Sequence, residues 1–420
     1  MYFTKLDSRD VDFGVFVNRT SEAEWLETSL DAYLQIEDAR IGRAFRVTGA
    51  KGSGKTIFAR HVLNKLRKRK YAAKTLFLEI DCRRCPDSRA VFNVLALNVV
   101  EELANLRKAG APIKDELLDT ARVLSTLTTF TSVELKVAHE HVTQYKAAAS
   151  LSGEMAFYST LKTGFNISVE RQKKAYEALT GSVQFDEYRL CQLIKDFFED
   201  VRGQGLNVVL FVDNLDELHH SYRDPAQREH VRQQAGWVLE LKQAPIALLA
   251  CMRTYYSEIA RDIGNKLTLP PLSANVLLGV LERRMREEPA KVQEEFQKSE
   301  VQGLAHKLTG IAPTPLSYIE WFKSLCEQSA YDTERRKKAI KLYVQAEYAS
   351  TPFDVLERVA RAFPDADREL DRAELLKACN GSDADFAAIQ DHQAVLPNDF
   401  WNPTRFTLDP SLQVLRHGAW

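Results

Sequence analysis

Residues 44–56 read AFRVTGAKGSGKT, and the fold is decided there. An apolar, β-prone run from Ala44 to Thr48 enters a glycine-rich turn, and a helical pattern, IFARHVLNKLRKRK, follows from Ile57. Gly49-Ala50-Lys51-Gly52-Ser53-Gly54-Lys55-Thr56 fits G-x-x-x-x-G-K-[ST] in full. Glycines let the backbone curl until successive N–H groups face one anion. Lys55 is spaced to reach β- and γ-phosphates, and the Thr56 hydroxyl to coordinate Mg²⁺. A helix beginning near Lys55 adds its N-terminal partial charge. Gly49 to Ile57 is the expected binding segment for ATP, with Mg²⁺ as the accompanying ion.

Outward from this loop, further β-type runs are KTLFLEID (Lys74 to Asp81), NVVLFVDNL (Asn207 to Leu215), APIALLACMR (Ala244 to Arg253) and NKLTL (Asn265 to Leu269). They are continuously apolar, as expected of parallel strands covered on both faces. Helical patterns lie between them at Ala90 to Leu106, Glu187 to Arg202 and Gln227 to Leu241. Strands alternating with helices imply a βαβ-built parallel sheet. Residues of about 111–180 interrupt the alternation with a helix (Lys114 to Ser125) and Thr/Ser-rich stretches such as MAFYSTLKTGFNISVE, read as an insertion with a hairpin.

A phosphate loop needs a second strand ending in a carboxylate for the metal's shell. NVVLFVDNLDEL supplies it: five apolar residues, then Asp213, Asn214, Leu215, Asp216 and Glu217. Asp213 is the expected Mg²⁺-associated carboxylate. Asp216 and Glu217 are candidates to orient or deprotonate water, against the plainer reading of a helix N-cap and first turn. Arg253, ending an apolar strand, is a candidate γ-phosphate sensor; the plainer reading is an ion pair with a surface acid.

The phosphate loop paired with a D-x-x-D-E strand end resembles the NACHT-type branch of the STAND ATPases, relatives of AAA+ and of Orc/Cdc6-type initiators. FVNRTSEAEWLETSL (Phe16 to Leu30) resembles the lead-in helix these families carry before the loop. IALLACMR is similar to their sensor strand, and ARDIGNKLTLPPLSANVLLGVLERRM to the passage into a helical lid. The likeness covers residues of about 14–110 and 185–420. It implies an ATP-binding switch, an ATP hydrolase, in a multi-protein assembly of bacterial stress or phage defence. It also puts Arg261 where a neighbouring subunit's arginine finger would stand in a homo-oligomer. Two departures point from conventional AAA+ motors toward STAND proteins. TGIAPTPLSYIEWF has no sensor Arg but does have the Gly and Pro of a STAND motif that contacts nucleotide. Asn214, not Glu, follows Asp213.

After Pro271 the chain turns helical, through NVLLGVLERRMREE, VQEEFQKSEVQGLAHKL and LSYIEWFKSLCEQ. Three short helical patterns (Asp354 to Phe363, Asp371 to Cys379, Asp385 to His392) and a β-type pair, RFTLD and QVLRH, follow in the order of a winged helix. The expected class is α/β: a parallel P-loop NTPase sheet with helices on both faces, then an α-helical lid and a winged-helix-like C-terminal domain. The boundaries are 1–40 (lead-in helix), 41–270 (ATPase core with its insertion), 271–330 (lid) and 331–420 (winged-helix-like).

The 420 residues carry 57 Lys+Arg and 58 Asp+Glu, a net charge of −1, which argues against a general nucleic-acid coat. The charge is unevenly spread. Residues 41–80 hold eleven Lys+Arg and one acid, whereas residues 331–420 hold twelve against fifteen. LRKRK (Leu66 to Lys70) is thus the nucleic-acid candidate, for the alternative of an ATP-regulated DNA loader, initiator or transposition regulator. The acidic C-terminal segment counts against that alternative. Six Cys in this length are no disulfide framework, and no apolar run is long enough for a membrane span, so the expected location is cytoplasmic. Cys82 and Cys85 read as ordinary thiols rather than a zinc or redox pair, and His139-Glu140-His141 and His219-His220 as surface residues. The expected partners are ATP or ADP and an effector protein.

Overall fold

The computed structural model describes residues 19–36, 41–129, 187–218, 225–256, 259–312, 314–328, 333–365, 368–391, 393–398 and 403–416. The expected hairpin around 155–170 and the two histidine clusters lie outside these residues. In chain order the first half forms α1 (Thr20–Leu34), β1 (Arg43–Gly49), α2 (Lys55–Leu66), β2 (Thr75–Asp81), α3 (Ser88–Lys108) and α4 (Asp115–Thr129). It continues with α5 (Glu187–Gly203), β3 (Asn207–Asp213), α6 (Pro225–Glu240), β4 (Ala247–Arg253) and β5 (Asn265–Thr268). The five strands are parallel, in the order β2-β3-β4-β1-β5.

Alternate residues of the strands feed two cores, which is why the apolar runs are continuous. Leu78, Leu210, Val212 and Leu248 face one side, packed with α3, α4, α5 and α6. Phe77, Val209, Phe211 and Leu249 face the other, with α1 and α2. A buried side chain of this size contributes about 1.5–3 kcal/mol relative to exposure, so the sheet is held from both faces. The first helix of the expected insertion, α4, belongs to this core through Leu117, Leu118 and Ala121. Asp87 caps α3 by accepting from the Ala90 N–H at 2.7 Å. The three strand ends that carry candidate residues, at Gly49, Asp213 and Arg253, lie at the carboxyl edge of the sheet, where open α/β folds place ligands.

The second half is built from α7 (Ala274–Met285), α8 (Ala290–Phe296), α9 (Ser299–Thr309), α10 (Pro315–Glu327) and α11 (Thr333–Glu347). There follow α12 (Phe353–Ala362), β6 (Leu370–Asp371), α13 (Arg372–Ala378), α14 (Asp383–Asp391), β7 (Val395–Pro397), β8 (Arg405–Leu408) and α15 (Gln413–Arg416). One continuous apolar cluster runs from Leu277 to Leu415. Asp371 and Glu374 start α13 with a reciprocal capping box.

Three local readings are corrected. QVLRH is not a strand: Asp409 accepts from the Ser411 N–H at 2.8 Å, and with Pro410 it opens a 3₁₀ turn that runs into α15. RFTLD is β8, but its antiparallel partners are β7 and the two-residue β6. VQEEFQKSEVQGLAHKL is two helices, α8 and α9, parted at Gln297-Lys298. The helix after the phosphate loop ends at Leu66, so most of LRKRK lies beyond it. There Glu27 of α1 takes Lys65 at 3.2 Å and Arg69 at 2.7 Å. Among the described residues no helix is long and apolar enough to cross a membrane.

Candidate functional site

Gly49 ends β1, and the chain turns through Gly52 (φ +78°) and Gly54 (φ +88°) into α2. Both angles lie in the left-handed region that glycine enters without cost. A Cβ on Gly52 would also stand 2.6 Å from the Leu316 Cβ and 2.8 Å from the Thr314 Oγ1. Lys55 is buried at the first position of α2, and its ammonium donates to the carbonyls of Gly49 (3.1 Å) and Ala50 (2.9 Å). Burial pulls its pKa below the ordinary lysine value, against the pull of Asp216 nearby. Ala50 is exposed, Lys51 and Ile57 half-buried.

The next residue, Thr56, donates its hydroxyl to Asp213 Oδ2 at 2.8 Å, so the loop and the acidic strand meet as the sequence expects. Asp213 is 1% exposed. Burial pushes its carboxyl up to about 6; Asp81 adds to the rise and the Thr56 hydroxyl opposes it. The backbone N–H of Asn214 donates to Asp213 Oδ1 at 3.0 Å, occupying the second oxygen.

Past Asp213 a short 3₁₀ turn carries Asp216 and Glu217 to the end of β4, where Arg253 meets both. The Arg253 Nε lies 2.9 Å from Asp216 Oδ2, its backbone N–H donates to Asp216 Oδ1 at 2.9 Å, and Nη2 pairs with Glu217. Arg253 is 4% exposed, and of the two acids it pairs with, Asp216 is buried and Glu217 half-buried. Its Nη1 also donates to Gln393 Oε1, at 2.5 Å, in the loop between α14 and β7. Arg261 is exposed, in the turn between β4 and β5.

Elements of the C-terminal half close on the loop. The Leu316 N–H, in the first turn of α10, lies 3.4 Å from the Gly52 carbonyl. Lys51 pairs with Glu347, the last residue of α11, at 3.4 Å. From the other side Arg19, before α1, donates to the carbonyls of Ser53 (3.2 Å) and Pro270 (2.8 Å). Sequence reasoning did not single out Gln393, Glu347 or Thr314 as site residues, since nothing local marks them. It also passed over Asp81, whose signal was available: LFLEID ends an apolar strand in an acid as LFVD does. Cys82 and Cys85 are both buried free thiols, and burial pushes the Cys85 thiol up to about 11.

The donor set suits a metal-bound triphosphate. The Ser53 Oγ is buried in the loop without a hydrogen-bond partner, a cost that an added acceptor would remove. Lys55, the loop amides and the Thr56/Asp213 pair offer a cation, backbone donors and an oxygen pair for Mg²⁺.

A family model described as an AAA ATPase domain matches residues 24–249. No curated protein matches the chain. Among solved structures, the Aeropyrum pernix ORC2 protein in its ADPNP-ADP complexes aligns over 99% of this chain and 97% of that one, at 12% identity and a TM-score of 0.46. The Aeropyrum pernix ORC1 protein in complex with DNA aligns over 96% and 93%, at 15% identity and a TM-score of 0.42. The Drosophila ORC bound to DNA aligns over 98% and 89%, at 14% identity and a TM-score of 0.39. With more than half of its length matched by that model, the chain belongs to the AAA ATPase domain family.

Proposed function

We propose that this chain is a Mg²⁺-ATP-dependent switch whose C-terminal half responds to the phosphates. Bound Mg²⁺ and ATP would supply the phosphoryl group and the charge that polarises it. The chain's own residues do the rest. Loop amides and Lys55 hold phosphate oxygens, and Thr56 with Asp213 holds the metal's shell. Asp216 and Glu217 orient water for hydrolysis once Arg253 turns from them to the γ-phosphate. Because Arg253 engages both acids in this arrangement, hydrolysis requires those ion pairs to open.

The observation that carries the switch is that three C-terminal contacts converge on the phosphate loop and sensor: Leu316 with Gly52, Glu347 with Lys51, and Gln393 with Arg253. A change of core near residue 270 supports the expected core–lid boundary, and a single apolar cluster behind it spans both 271–330 and 331–420. The β6-β8-β7 sheet with α12, α13 and α14 supports the winged-helix-like reading. A STAND-like role in defence, an effector partner and a homo-oligomer joined through Arg261 rest on the resemblance.

Nucleotide affinity decides the base of this reading. Lys55→Ala should weaken ATP binding at least tenfold by calorimetry; unchanged affinity would remove it. The DNA-loader alternative has one observation of its own, the exposed Lys68, Lys70 and Lys74 beyond α2. Duplex binding that falls steeply with salt, and on neutralising these lysines, would favour it.

A further inference from the structure

Asp81 ends β2 and is the register partner of Asp213 across the β2/β3 pair. Two carboxylates side by side at a strand edge repel unless something holds them. Arg83 supplies the counter-charge: its Nε lies 3.0 and 3.1 Å from the two Asp81 oxygens, its Nη2 2.7 Å from Oδ2, and its backbone N–H donates to Oδ1 at 3.2 Å. The remaining bond to Asp81 comes from Asn214, whose side-chain Nδ2 donates to Oδ1 at 3.0 Å.

Asn214 has φ +53° and ψ +42°, the left-handed region that Asn tolerates better than other residues with a side chain. In that conformation one residue makes two useful bonds. Its backbone N–H holds Asp213 Oδ1, while its amide reaches across to the neighbouring strand. Thr56 holds the other oxygen of Asp213. The carboxylate is thereby fixed from β2, β3 and α2 at once.

We propose that Asn214 and Asp81 are positioning residues, a strut between two strand ends that fixes the orientation of the Asp213 carboxylate toward Mg²⁺. The inference rests on the reading of Asp213 as the metal-associated carboxylate. It explains why an amide follows Asp213 where a second acid would be expected. The acid is present, but it stands on β2 and works as an acceptor, with its charge met by Arg83.

The test is an exchange of donor and acceptor. Asn214→Asp sets a carboxylate against Asp81 and should weaken Mg²⁺-dependent affinity for a non-hydrolysable ATP analogue about tenfold, with Mg²⁺-free affinity unchanged. Adding Asp81→Asn restores one amide–carboxylate bond with the roles reversed, and should bring Mg²⁺-dependent affinity back to within about threefold of wild type. Asn214→Gly, which keeps the left-handed turn and removes only the amide, should lose about as much as Asn214→Asp and stands in if that variant does not fold. Calorimetric titration with Mg²⁺, with thermal unfolding as the folding control, reads all of them. No rescue by the double exchange, or tighter Mg²⁺ binding by Asn214→Asp alone, overturns the strut. A wild-type chain that takes up no nucleotide, with or without Mg²⁺, removes the proposed function as well, which a failed rescue does not.

Discussion

Asp213 carries a conflict between the empty and the loaded protein. Burial lifts its carboxyl from the ordinary 3.8 to about 6, so the folded chain holds a proton that the unfolded chain releases between those values. Stability therefore falls as pH rises from about 4 to about 6 and stays lower above. Asp213→Asn removes the buried charge while leaving an oxygen for the Thr56 hydroxyl. In the absence of nucleotide the variant should be more stable than wild type at pH 8, by about 3 kcal/mol, with the difference gone near pH 4. Thermal unfolding at the two pH values reads this, and equal stability at pH 8 would refute it. The same variant should lose Mg²⁺-dependent nucleotide affinity. A destabilised carboxylate is what a metal can exploit, because binding removes the penalty that burial imposes.

Among the elements, α10 shows how the loop and lid are joined. Thr314 caps the helix by accepting from the Ser317 N–H at 3.2 Å, Pro315 fills the first position, and the same Thr314 hydroxyl crowds the place where Gly52 has no Cβ. Thr314→Ala should cost about 1 kcal/mol of stability from the lost cap. It should also speed nucleotide release, because the helix start that abuts the loop frays; stopped-flow with a fluorescent nucleotide would detect an unchanged release rate if this is wrong. The strands that build the site were legible because continuous apolar runs ending in an acid or a glycine have few other uses, as in VVLFVD and AFRVTG. QVLRH was misread because its apolar spacing suits either state, and Asp409-Pro410 upstream decided it. β6, at two residues, is too short to carry a pattern. Gln393 and Glu347 were not legible at all: their meaning lies in partners 140 and 296 residues away.

At the scale of the molecule, the two halves have separate cores and meet over the phosphate loop through a few polar contacts. Such contacts are individually weak and open readily, which suits a response to ligand. Gln393→Ala should remove one tie from Arg253 to the C-terminal half, and Glu347→Gln one of those from Lys51, which also faces Asp409. Each should speed release of bound ADP, and together they should speed it more than either alone; release at the wild-type rate in the double variant would count against a docked C-terminal half. The sheet order has a different consequence. With β4 between β1 and β3, the lateral separation of the strands that carry the phosphate loop and Asp213 is two strand spacings, roughly 9–10 Å, set by backbone hydrogen bonds rather than by side-chain fit. The site is thus measured by a ruler whose marks are whole residues. Core substitutions can soften the helices without altering that gap, whereas a one-residue slip of β3 would turn Asp213 to the opposite face of the sheet, away from Thr56. Failure of the spacing is therefore digital, while failure of the lid is graded.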